Sequence, residues 1–204
     1  MFKVKDIMQK CHILLKSLTL DGSEAAYIRH NKRIWGNNSL NNKNGEVLVE
    51  SCTIASSIIS FSYLANTLAN IHNATIKTYV TRKNSLITKI LSFKTNKIYK
   101  SFHTEDIVYF CLSRAQSLEK EKLFNTVYSR LKDKKDVEDL KIAGVWIGDL
   151  VYDSHCMNYK VPTINIKDAD FCDSLLQAIS HYIFWRDYLD AHNVKSVILT
   201  HTVY

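Results

Sequence analysis

The chain has 204 residues, 46% of them apolar and 23% charged, an ordinary composition that suits one sizeable α/β domain or one domain with an extension. Its formal charge of +7 invites a nucleic-acid partner, but the lysines and arginines are spread along the sequence and no nucleic-acid motif accompanies them, so none is expected. The apolar stretches carry Ser, Asn and Lys at intervals, which leaves no membrane-spanning helix in the reading.

The first eighteen residues, MFKVKDIMQKCHILLKSL, lack a small-residue cleavage site, so no secretory signal is read and a cytoplasmic location is expected. Residues 1–44 read as an N-terminal extension, helical over 5–20, with a turn at Asp21-Gly22-Ser23 and loops at 35–38 and 41–45. This part is expected to cap a sheet or lie loosely on it.

Residues 45–80, GEVLVESCTIASSIISFSYLANTLANIHNATIKTYV, carry the architecture. A β-rich run at 46–50 precedes an apolar segment with Ile54, Ile58, Phe61, Leu64, Ala65, Leu68 and Ile71 at helical spacings. A polar break at His72-Asn73 leads to a second β-rich run at 75–80. Strand, helix and strand make a βαβ unit, the building block of a parallel sheet covered by helices.

Residues 82–100 alternate basic and apolar residues, as an amphipathic helix does. Such a face is expected to touch solvent, phosphorylated substrates or an anionic membrane surface. Thr104-Glu105-Asp106 reads as a helix start, with helical pattern onward to Leu131. The run KDKKDVED at 132–139 reads as an exposed helix end or connection. A strong helix is predicted over 168–190, then a buried strand over 196–200. The predicted sheet uses residues 47–49, 76–80 and 197–199 as buried strands, with helices 53–71 and 168–190 packed on it. A chain that stops four residues after its last strand is read as ending on an edge strand or as the front part of something longer.

The cysteines, Cys11, Cys52, Cys111, Cys156 and Cys172, are odd in number and lack CxxC spacing. They read as reduced thiols, without a zinc ribbon or disulfide framework. No GxGxxG, GxxxxGK[ST] or GxSxG motif is present. Ser56-Ser57 offers hydroxyls or helix amides to a phosphate, or simply lets a helix pack closely.

Two constellations can carry chemistry. If Gly148 opens a helix, Asp149 and Asp153 share a face, with Leu150 and Val151 turned to the core. Paired carboxylates there bind a cation or sugar hydroxyls, or divide acid and base roles; the plainer reading is a helix start stabilised by Asp149 with Asp153 solvated. His201, followed by Thr202 and Tyr204, stands directly after a predicted strand, as a general base or as a structural histidine. His155 completes a Asp153/His155/His201 set that a metal-dependent hydrolase would need, although sequence cannot bring its members together.

Taken in order, the segments at 47–80, GVWIGDLVYDSH with VPTINI downstream, and VKSVILTHTVY resemble the N-terminal region of bacterial capsule and surface-polysaccharide biosynthesis proteins. Those are glycosyltransferases with a GT-B-like pair of Rossmann-type domains. The resemblance covers residues 45–204 and is most specific at residues 147–153 and 201–204. It implies an α/β, Rossmann-like parallel sheet flanked by helices, truncated after the acceptor-side domain. It also implies a sugar passed from a nucleotide-sugar donor, bound by a missing C-terminal domain, to a glycan acceptor. Asp153 and His201 are then the acid–base pair, and Asp149, Tyr152, His155, Thr202 and Tyr204 line the substrate. No metal or cofactor is implied. Where family members carry an aromatic-Leu-basic sequence after the Tyr-Asp-Ser, this chain has His155-Cys156-Met157. The reading of a different class is a non-catalytic binding or scaffold domain in a polysaccharide assembly complex.

Overall fold

The computed structural model describes residues 18–36, 44–52, 54–83 and 86–199. These fall into two compact units, one made of the residues up to Cys111 with those from Leu189 onward, the other of Leu112–Tyr188.

Helix α1 (Gly22–Trp35) is the first element of the first unit whose whole length lies among the described residues. Asp21-Gly22-Ser23, predicted as a turn, is in fact a helix start. The Asp21 carboxylate accepts from the Glu24 amide at 2.8 Å, and the Glu24 carboxylate accepts from the Asp21 amide at 2.9 Å. This reciprocal pair satisfies two otherwise orphaned donors. Along α1, Ile28 enters the core, and the Tyr27 hydroxyl donates to Ser62 Oγ at 2.6 Å. The helix before residue 45 therefore shares the core of the strands after it.

Strand β1 (Glu46–Glu50), helix α2 (Ala55–His72) and strand β2 (Thr75–Lys83) form the predicted βαβ unit. Helix α2 ends where the sequence breaks: Asn73 takes a left-handed conformation with φ 49°, and the Ala74 amide returns to the Ala69 carbonyl. The strands pair in parallel, Val47 beside Ile76 and Val49 beside Thr78. An antiparallel pairing would have excluded a crossover helix between them.

Two short helices follow, α3 (Leu86–Leu91) and α4 (Phe93–Lys100), in place of one amphipathic helix over 82–100. Strand β3 (Thr104–Phe110) then pairs in parallel with β2. Thr104 was predicted to cap a helix, and here the β-branched and aromatic run Ile107-Val108-Tyr109-Phe110 prevails over the acidic start. The helix begins ten residues later in sequence, after Ser113.

The last strand, β6 (Val194–Ile198), pairs in parallel with β1 and gives the four-stranded order β3-β2-β1-β6. This is an α/β, Rossmann-like arrangement, with a parallel sheet flanked by helices. Val47, Val49, Ile76 and Ile198 meet Ile58, Phe61 and Ala65 of α2 and Ile98 and Tyr99 of α4 in one core. Predicted burial of the last strand holds only for Ile198. Val197 is 47% exposed and Leu199, just past the strand, 50% exposed, because they alternate with Ile198 and point to the opposite, exposed face.

The second unit contains helix α5 (Arg114–Tyr128), helix α6 (Lys134–Glu138), a two-stranded hairpin of β4 (Lys141–Ile142) and β5 (Val145–Trp146), helix α7 (Gly148–Tyr159) and helix α8 (Ala169–Ala191), whose last turn belongs to the first unit. Helix α8 was predicted to pack on the sheet. Instead Phe171, Leu175, Ile179 and Ile183 build a separate core with Val137, Ile147, Val151 and Ile164. An i, i+4 apolar stripe records that a face is buried and leaves its partner open.

Candidate functional site

The sequence places most of its candidate residues on α7, and local geometry explains why that helix starts where it does. Ala143 and Gly144 both take positive φ, 47° and 84°, the conformation of a tight hairpin turn between β4 and β5. The chain returns so that the Ile147 and Gly148 amides both donate to the Leu140 carbonyl, at 3.0 and 3.1 Å. At Gly148 the backbone lies against the end of α6. A Cβ there would stand 2.0 Å from the Val137 carbonyl oxygen and 2.4 Å from that of Glu138. Trp146 Nε1 donates to the same Glu138 carbonyl. Only glycine allows this approach.

From that start, Gly148, Val151 and His155 form the buried side of α7. Leu150, predicted to turn inward, is 59% exposed. Asp149 is half-buried, and its carboxylate accepts from the Leu150 amide at 2.8 Å, within the first turn of the helix. Asp153 stands one turn further on, exposed, with no hydrogen bond or ion pair among the described residues. The two carboxylates therefore lie four apart along one helix, one engaged locally and one open to solvent.

Tyr152 is half-buried; its hydroxyl donates to Thr163 Oγ1 at 3.4 Å, and the Lys134 ammonium sits 4.6 Å from its ring centroid. His155 is sealed, only 3% exposed. Its Nδ1 lies 2.9 Å from Ser174 Oγ, and that hydroxyl donates to the Asp170 carbonyl at 2.9 Å. With the Ser174 proton so used, His155 Nδ1 carries hydrogen and donates. The ring packs against Tyr159 and edge-on to Phe171. Here His155 ties α7 to α8.

His201, Thr202 and Tyr204 lie outside the described residues. Among the described residues, no group of three His, Cys, Asp or Glu side chains stands close enough to hold a metal ion.

The first unit offers a different setting, the carboxyl edge of its sheet. Strands run β1, β2, β3 to one side, and β6 then returns to the other side of β1, so the topological switch point lies between the ends of β1 and β6. After β1 the chain is fixed by Tyr99, which donates to the Glu50 carbonyl at 2.8 Å and accepts from the Cys52 amide at 3.1 Å. Burial pushes the Tyr99 phenol far above its ordinary range, so it stays a neutral donor. Helix α2 then begins behind Ile54, whose side chain cannot cap it, and Ser56 and Ser57 occupy the first turn. Open amides at that place attract negative charge.

No family model, curated protein or solved structure matches this chain.

Sequence reasoning passed over one polar network in the second unit. Arg186 makes a bidentate contact with Glu119, 2.6 and 3.0 Å, and reaches Asp187 through Nε at 2.8 Å. Gln116 donates to the other Asp187 oxygen at 2.8 Å. The Arg186 hydrogen bonds hold Glu119 below the usual carboxylate range, while Gln116 and then Arg186 do so for Asp187. The network joins α5 to α8, and its sequence signal would have been an acidic residue on one helix and a lone arginine on another far along the chain.

Proposed function

We propose that this chain is the acceptor-side domain of a GT-B-like glycosyltransferase of surface-polysaccharide biosynthesis, working in the cytoplasm beside the inner membrane. The observation that carries the reading is the strand order β3-β2-β1-β6, all parallel, in the first unit. That is the order of one Rossmann-type half, whose ligand edge lies where the strands end. The sequence resemblance alone supplies the glycan chemistry; the fold supports the Rossmann-type architecture. No helix among the described residues is long and apolar enough to cross a membrane. In this reading Asp149, Tyr152 and Asp153 on α7 hold the acceptor, with Asp153 the base for its hydroxyl, and the nucleotide-sugar donor is held by a further domain. His201, Thr202 and Tyr204, to which the resemblance gives the same kind of role, lie outside the described residues.

A glycan-binding domain without catalysis is the second reading. The sealing of His155 favours it, because among the described residues α7 then presents carboxylates and the phenols of Tyr152 and Tyr159 but no free imidazole.

The test is a titration of the isotope-labelled chain with oligosaccharides from surface glycans and, separately, with nucleotide sugars. Saturable shifts on α7 with a glycan are expected, weakened about tenfold in Asp153→Asn by loss of a charge-assisted hydrogen bond, with an unchanged melting temperature. Indifference to every glycan, or a response to nucleotide sugars alone, would overturn the acceptor-side assignment. Transfer upon adding a donor domain, abolished in Asp153→Asn, separates the enzyme from the binding module.

A further inference from the structure

The second unit holds a cleft of about 440 Å³ between the end of α5, the start of α6 and the segment that joins α7 to α8. The volume lies within the range of small-ligand sites. Lys132, Lys134 and Lys167 line it with one carboxylate, that of Asp133, and the Asp136 carboxylate stands beside it, accepting from the Lys132 and Asp133 amides at 2.8 and 3.4 Å. The Asp133 carboxylate is already engaged, since its Oδ1 accepts from the Lys135 and Asp136 amides at 2.8 and 3.1 Å to cap α6. Lys134 is held at the rim by Glu138, 3.2 Å away, and by the Tyr152 ring. The ammonium groups of Lys132 and Lys167 have no hydrogen bond or ion pair among the described residues.

The uncharged part of the lining is equally specific. Leu131, Ile164 and Ile166 give an apolar wall, and Tyr128 brings an aromatic ring whose hydroxyl donates to the Ile166 carbonyl at 3.0 Å. That bond fixes the ring as part of the wall. Lys132 and Lys167 are both exposed residues on the lining of one concavity, and a bound anion would draw on their positive charge there. A phosphate monoester carries about −1.5 to −2 charges near neutral pH, which matches two free lysines better than a single carboxylate does. Lysine, a compact point charge with three donors, suits phosphate oxygens without demanding the planar fork that arginine brings.

We infer that this cleft binds an organic phosphate of sugar-phosphate size, with the phosphate between Lys132 and Lys167 and the body of the ligand against Tyr128 and Ile164. The inference stands apart from the acceptor-side function, because it rests on the second unit's own lining. The phosphate has two sources, a free sugar phosphate or the phosphorylated end of a glycan.

The experiment is a titration of the full-length isotope-labelled chain, followed by amide spectra, with glucose 1-phosphate, inorganic phosphate, glucose and a phosphate-bearing oligosaccharide. Glucose 1-phosphate is expected to shift the amides of Leu131, Lys132, Ile166 and Lys167 saturably, and glucose to leave them unmoved. The double variant Lys132→Gln/Lys167→Gln should weaken binding about tenfold or more, the scale of lost charge-assisted contacts. Lys132→Arg/Lys167→Arg should keep it within about threefold, and Lys122→Gln, an exposed lysine on α5, should not change it. Tighter binding of the oligosaccharide than of glucose 1-phosphate assigns the glycan source, and the reverse assigns the free sugar phosphate. Equal affinity for inorganic phosphate and glucose 1-phosphate would overturn the assigned ligand body. Equal loss in Lys122→Gln, shifts scattered over the surface, or no shift at all would overturn the site.

Discussion

Gly148 separates packing from chemistry inside the most distinctive stretch of the sequence. Its neighbours on α7 were read for their carboxylates, yet the glycine itself is demanded by the Val137 and Glu138 carbonyls behind it. Gly148→Ala should therefore cost about 1–3 kcal/mol in urea unfolding, since a backbone carbonyl cannot swing aside as a side chain would. Asp153→Asn, on the exposed side of the same helix, should leave the unfolding midpoint in place. Should the two variants behave alike, the close approach of α6 and α7 is not what fixes the glycine. The carboxylate spacing was legible because it needs only the helical repeat. The sealing of His155 was not, because its partners Ser174 and Phe171 come from a helix whose placement the sequence leaves open. At Arg186 the same scale gives a pH dependence. Glu119 and Asp187 titrate below their ordinary values of 4.5 and 3.8 in the folded chain. The unfolded state binds protons first as the solution is acidified, so their contribution is whole above those values and is lost as pH falls through the folded ones. Arg186→Leu should lower the melting temperature at pH 6, by an amount worth about 1 kcal/mol or less for so exposed a network, and the gap should close in acid. A gap that persists unchanged at pH 2 would mean that packing of the arginine stem, and not its charge, is what was lost.

Elements were legible where hydrophobic period and boundary signals agreed. Helix α2 is the clear case: its apolar spacing sets its face and Asn73 sets its end. Helix α1 is less legible because Asp21-Gly22-Ser23 also carries a turn signal, although Asp21 and Glu24 stand at capping-box spacing. The start of α5 was overlooked in the same way. Ser113 accepts from the Gln116 amide at 3.2 Å, and Gln116 Oε1 accepts from the Ser113 amide at 2.8 Å. The acidic pair at Glu105-Asp106 drew the helix start forward, onto what is a strand. Caps are short-range features and readable in principle; a strand's claim on its residues depends on a neighbour, here β2, thirty residues away in sequence. Replacing Ser113 by Ala should destabilise by about 1 kcal/mol, measured by thermal unfolding, as caps usually do. A change within error would show that the start of α5 is held by the Gln116–Asp187 bond alone.

At the scale of the molecule the sequence indicated one Rossmann-like domain over 45–204, and the described residues build two cores that share no side chain among them. Periodicity could not show this, since the stripe on α8 reads the same whichever surface it meets. Phe102 and Phe171 are both fully buried, one in each core. Phe171→Ala should cost about 3–5 kcal/mol and quicken hydrogen exchange in α5, α6 and α7 while β1 and β2 keep their protection; Phe102→Ala should do the opposite. Exchange that quickens everywhere in either variant would show one cooperative unit.

The order of the strands also bears on how the protein is made. β1 acquires its neighbour β2 within thirty residues, but its other edge waits for β6, and the whole of Leu112–Tyr188 leaves the ribosome in between. Closing so long a loop is slow, though its entropic cost grows only with the logarithm of its length. Throughout that interval one side of Val47-Leu48-Val49 presents unpaired amides and carbonyls beside apolar side chains, a template for pairing with another chain. The nascent protein is thus open to mispairing at the strand that becomes the best-buried part of the finished sheet.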